Sequence, residues 1–96
     1  MRRPPKPQLP SGGYAGTVKG VRDAVAKELM RMYPIQCLFR RPVIRASHIA
    51  PAVLVIRIEG MSHISSKQFE VLVAVMNDAA PPYATCVLTL GEKQRG

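Results

Sequence analysis

The sequence predicts an α+β domain in which one amphipathic N-terminal helix packs on a mainly antiparallel sheet of three to four strands with a long central hairpin. Three observations carry that expectation. Apolar residues recur at steps of three and four after Thr17. Two apolar runs, "AVLVIRIE" and "QFEVLVAVM", flank a short polar link, and a last run, "ATCVLTL", alternates side chains of opposite character. A chain of 96 residues supports one core, and with two Phe, three Tyr and no Trp that core is aliphatic.

The opening segment, residues 1 to 16, has prolines at 4, 5, 7 and 10 followed by Ser11, Gly12 and Gly13, which predicts an extended basic arm. A single domain over residues 17 to 90 and a short polar tail over 91 to 96 follow. Thr17 reads as an N-cap for a helix ending at Met32, with Val18, Val21, Val25, Leu29 and Met32 on one face. Asp23 and Lys27 are spaced to pair off that stripe, and Pro34 biases Tyr33 away from helix. "IQCLF", Ile35 to Phe39, reads as a short strand broken by "RRP", and "VIRA" adds extended chain before a loop through Ser47 and His48.

In the first long run Leu54, Ile56 and Ile58 share one face, opposite Val53, Val55, Arg57 and Glu59. In the second, Phe69, Val71, Val73 and Val75 share a face opposite Leu72, Ala74 and Met76. Read as the two arms of a hairpin, these runs leave its base apolar on both sides. One helix covers one side, so a second copy of the chain is the expected cover and a homo-oligomer the expected state. The final run sets Cys86, Leu88 and Leu90 against Thr85, Val87 and Thr89, the pattern of an edge strand with one solvated face.

The formal net charge is +8, of which residues 1 to 13 supply +3, the segment from 91 onward +1 and the body +4. A basic balance of this kind attracts phosphate or acidic protein surfaces. Arg40, Arg41 and Arg45 place three guanidinium groups within six residues, and His63 and Lys67 sit at the predicted hairpin link; these five are the candidate partner-binding residues. Exposed aromatics for base stacking are missing, since Phe69 lies among valines.

Groups for catalysis and metal binding are not assembled. Ser47 with His48 and Ser62 with His63 are adjacent pairs, which does not bring a hydroxyl to a base. Cys37, His48, His63 and Cys86 contain no close pair to start a zinc site. "SGGYAG" has neither the dinucleotide nor the phosphate-loop spacing and reads as a linker. No enzyme activity, metal or cofactor is expected. Cys37 and Cys86, each inside an apolar run, read as buried free thiols. No run approaches a membrane span and the N-terminus lacks the apolar core of a signal peptide, so the expected location is the cytoplasm, with no membrane partner.

The order of "VKGVRDAVAKELMRMYP", a short strand leading to "RRPVI", then "APAVLVIRIEG", a loop and "KQFEVLVAVMND" resembles small phage tail-terminator and tail-completion proteins over about residues 18 to 78. The chain is shorter than that group and basic. The resemblance implies a structural protein of a phage tail or neck, present in the virion, that assembles through protein-protein contacts without a chemical step. The competing reading is a small basic protein that binds nucleic acid weakly and without sequence preference through Arg and Lys phosphate contacts.

Overall fold

A computed structural model describes residues 15–50, 52–61 and 63–93 of the chain. Its elements in order are α1 (Ala15–Met32), α2 (Pro34–Arg40), β1 (Val43–Ala50), β2 (Val53–Glu59), α3 (Ser66–Ala79) and β3 (Thr85–Gly91). The class is α+β. The strands lie in the order β1-β2-β3, with β1 antiparallel to β2 and β2 parallel to β3, so the sheet is mixed. Of the arm expected over residues 1 to 16, Ala15 and Gly16 belong to α1, and of the tail expected over 91 to 96, Gly91 belongs to β3; residues 1 to 14 and 94 to 96 lie outside the described residues.

The stripe read from the sequence builds α1. Val21, Val25 and Leu29 are buried, and Val18 and Met32 pack against them. The helix begins at Ala15, which puts Thr17 in its first turn and not at its cap. Asp23 pairs with Lys19 at 3.0 Å, one turn before it, and not with Lys27; Arg22 is also near, at 3.5 Å. Solvent screens these exposed pairs, so they add little to stability.

Two segments expected as strands are helices. "IQCLF" belongs to α2, because Pro34 occupies the first helical position, where its fixed φ and missing N–H suit a helix start. "QFEVLVAVM" belongs to α3. Ser65 caps it by accepting a hydrogen bond from the Gln68 N–H at 3.2 Å, and donates its hydroxyl to Gln68 Oε1 at 3.0 Å. Ile64 and Phe69 stand at the positions of a hydrophobic staple and both pack against the core.

The hairpin is therefore β1–β2, with Ala52 at φ 70 in the link and Ala50 opposite Val53. The strand expected only as "VIRA" continues to Ala50 and includes Ser47 and His48. The register shifts between His48 and Ala50, a bulge that leaves Ile49 unpaired and exposed at the sheet edge. β2 and β3 run parallel, which requires a crossover too long for a turn, and α3 supplies it.

The alternation read in β2 holds: Leu54, Ile56 and Ile58 are fully buried beneath the helices, with Leu88 of β3 beside them. Leu72 and Met76 of α3 enter the same cluster as Val21, Val25 and Leu29 of α1. Both long helices thus cover one face of the sheet. The second helix that the hairpin reading lacked is α3. The opposite face, formed by Val43, Arg45, Val53, Val55, Arg57, Glu59, Val87, Thr89 and neighbours, carries no helix among the described residues.

Candidate protein-binding surface

Helix α2 carries three of the exposed large apolar side chains among the described residues. Tyr33 leaves α1 at φ −130, Pro34 restarts the helix, and its seven residues bury none of their side chains. Cys37 faces inward, its thiol 3.8 Å from the Leu29 carbonyl and 4.0 Å from Met61 Sδ. On the outer side Ile35 is 62% exposed, Leu38 67% and Phe39 77%, and Met30 of α1 is 61% exposed. Positions 35, 38 and 39 have the i, i+3, i+4 spacing of one helix face.

Between α2, α1 and β1 lies an open groove of about 380 Å³. Met30, Leu38, Pro42 and Ile44 form its apolar walls and Arg41 stands in its lining. Arg41 caps α2 in a left-handed conformation, φ 48, with its N–H donating to the Cys37 carbonyl. Its own carbonyl accepts from Lys93 Nζ at 3.1 Å, which brings a second cation beside it. On the other flank of α2, Arg40 and His63 line a smaller cavity of about 180 Å³ together with Tyr33, Gln36 and Met61. Tyr33 donates its hydroxyl to Gln68 Oε1 and so ties this flank to the first turn of α3.

The electrostatics of the region are one-sided. Between Asp23 and Glu59 the sequence has a single acid, Glu28, against six Lys and Arg residues. Arg31 binds that acid, and this hydrogen bond holds the Glu28 carboxyl below and the Arg31 guanidinium above their ordinary pKa values. Burial pushes the Cys37 thiol upward, as it does Cys86, and both cysteines are free and half-buried.

The five residues singled out from the sequence do not form one site. Arg41 lines the groove, Arg40 and His63 share the smaller cavity, and Lys67 is exposed in the first turn of α3. Arg45 points to neither cavity: it stands on the uncovered sheet face with its Nε 2.8 Å from Glu59 Oε1, while Arg57 Nε holds Oε2 at 3.0 Å. The Arg45 hydrogen bond, with help from Arg57 and against burial, lowers the Glu59 pKa. Ile35, Leu38 and Phe39 were hidden because their segment reads as a strand, and Met30 because it lies off the buried stripe of α1. Pro34 at a helix start was the available signal.

No group of three or more His, Cys, Asp or Glu side chains able to hold a metal occurs among the described residues. No helix among them is long and apolar enough to cross a membrane. Comparison with protein-family models, with curated proteins and with solved structures finds no match.

Proposed function

We propose that this chain is a non-enzymatic assembly protein that works through protein-protein contacts, and that the α1–α2 ridge and its groove are the contact surface. One observation carries the reading: a helix that fully buries none of its side chains yet presents Ile35, Leu38 and Phe39 on one face. Contiguous apolar groups of this size on a small domain mark interaction sites. The occupant is an amphipathic, acidic segment of a partner protein. Its apolar face fits the groove in the helix-in-groove mode, and its carboxylates meet Arg41 and the neighbouring Lys93. A second copy would set the same cations against one another, which disfavours self-association at this surface.

A tail or neck component is one setting for such a protein. Its support is α1 followed by the strand "VLVIRIE", since the segment that the resemblance takes as a short strand lies in α2 and "KQFEVLVAVMND" lies in α3. The nucleic-acid reading draws on the same cations without using the apolar row.

Fluorescence anisotropy with a labelled Leu/Glu amphipathic peptide, its Leu/Lys counterpart and a duplex oligonucleotide tests the reading. The acidic peptide binds, the basic one does not, and Leu38→Asp abolishes binding while leaving the Tm unchanged. Light scattering runs alongside. A dimer dissociated by Leu38→Asp would keep the protein-contact reading and replace the acidic partner by a second copy. Oligonucleotide binding that survives physiological salt, with no peptide binding, would overturn the proposal in favour of nucleic acid.

A further inference from the structure

The uncovered face of the sheet holds an arrangement that the α1–α2 ridge does not use. Arg45 and Arg57 are directly paired across β1 and β2, and Thr89 is the partner of Arg57 on β3, so the three residues start from one row across the sheet, from which both guanidinium groups lean toward Glu59. In the adjoining row Glu59 lies between Val43 and Gly91. Its carboxylate is 0% exposed, covered by the two guanidinium groups, each of which binds it through Nε. Gly91 is what admits this packing: a Cβ there would overlap the Arg57 guanidinium.

A guanidinium has five N–H donors, and the Nε bond to Glu59 takes one of them. The remaining donors of each arginine belong to side chains 52% and 41% exposed, and the buried acid beneath fixes the direction of each fork. Two arginines around one carboxylate leave a net positive charge. A single charged acceptor is thus spent on orienting the forks, and the oriented forks remain available to a second one.

We infer that Arg45, Arg57 and Thr89 form a binding site for a dianionic tetrahedral oxyanion, the phosphate of inorganic phosphate or of a phosphate monoester. The free Nη donors of two converging forks, with the Thr89 hydroxyl one residue pair away on β3, offer donors from three strands to the three oxygens of a terminal phosphate, one more than a planar carboxylate has. The double charge gains more from the residual positive field than a single one does. The flanking row is Ser47, Val55 and Val87, with no aromatic ring for a base to stack on, which separates this site from a single-strand nucleic-acid platform.

Nuclear magnetic resonance of the full chain, titrated with inorganic phosphate at constant ionic strength, reads the site through the arginine Nε–H signals and the Thr89 amide. Saturable shifts confined to Arg45, Arg57 and Thr89 are expected. Arg57→Gln weakens the affinity by about tenfold or more, and Thr89→Val, which leaves the Glu59 pair intact, weakens it by roughly threefold to tenfold with an unchanged Tm. A phosphoserine peptide that displaces inorganic phosphate with higher affinity identifies a protein-borne monoester as the source; displacement no stronger than phosphate itself identifies the free ion or a small phosphate ester. No saturable shift, equal shifts at Arg40, Arg41 and Lys67, an affinity unmoved by Thr89→Val, or an oligonucleotide with internal diesters only that competes as well as phosphate would each overturn the inference.

Discussion

Replacing Leu72 and Val71 one at a time tests the assignment of residues 66 to 79 to a helix. Leu72 is fully buried against α1 and the sheet, whereas its neighbour Val71 is 40% exposed. Truncating a buried leucine to alanine removes its transfer free energy and leaves a cavity, about 2–5 kcal/mol in total. Taking ~3 kcal/mol, a domain of this size loses roughly 12–24 °C in Tm, a large part of a total stability of about 5–15 kcal/mol. Val71→Ala gives up only half-exposed surface and gains helix propensity, up to about 0.6 kcal/mol, so its net change stays within about 0.5 kcal/mol. Urea unfolding followed by circular dichroism measures both variants, and Leu72→Ala lowers the midpoint by roughly 1–3 M if the slope is unchanged. A Val71→Ala variant as damaged as Leu72→Ala would refute the reasoning, because only a strand buried on both faces makes adjacent residues equally costly.

Glu59, with its pKa lowered by Arg45 and Arg57, contributes stability that is present above its unfolded pKa and lost as the pH falls through the lower folded value. The Tm gap between wild type and Glu59→Gln is therefore widest near neutral pH and closes as the pH drops below about 4.3, and a gap that widens in acid would contradict the ion triad. Arg41→Gly relieves a non-glycine residue at φ 48 and leaves stability unchanged or raises it by up to about 1 kcal/mol in thermal melts, whereas a clear loss would mean that its side chain anchors α2. Ser65→Ala removes the α3 cap and costs about 1 kcal/mol; an unchanged urea midpoint would show that the capping bond contributes nothing. Cys37 and Cys86, both raised in pKa by burial, react with a thiol reagent at neutral pH far more slowly in the folded chain than in urea, and equal rates would place them at the surface.

Some of the fold is written in local pattern. The stripe of α1 fits only a period near 3.6, and the alternation in β2 and β3 fits only a period of 2, so each settles its element without reference to the rest of the chain. "QFEVLVAVM" fits both: Phe69, Leu72, Val73 and Met76 follow a helix, while Phe69, Val71, Val73 and Val75 follow a strand. Its valines favour the strand by at most about 0.5 kcal/mol each relative to good helix formers. Burying Leu72 and Met76 in the α1 core returns about 1.5–3 kcal/mol apiece, which outweighs that preference once β3 lies parallel to β2 and a crossover is required.

The same holds for the candidate surfaces. The basic cluster at 40, 41 and 45 was visible in the sequence, but its division was not, because Arg45 enters a strand and turns to Glu59 while Arg40 and Arg41 close a helix. Arg57 attracted no notice as a lone charge in an apolar strand. Its meaning comes from β1 and β3, which bring Arg45 and Gly91 to either side of it. The sequence by itself determined the aliphatic core, α1, β2 and the final strand, each fixed by side chains within a few residues of one another. Only the tertiary structure decided the two helices over residues 34–40 and 66–79, the parallel pairing and the grouping of charges, because each depends on contacts between segments far apart along the chain.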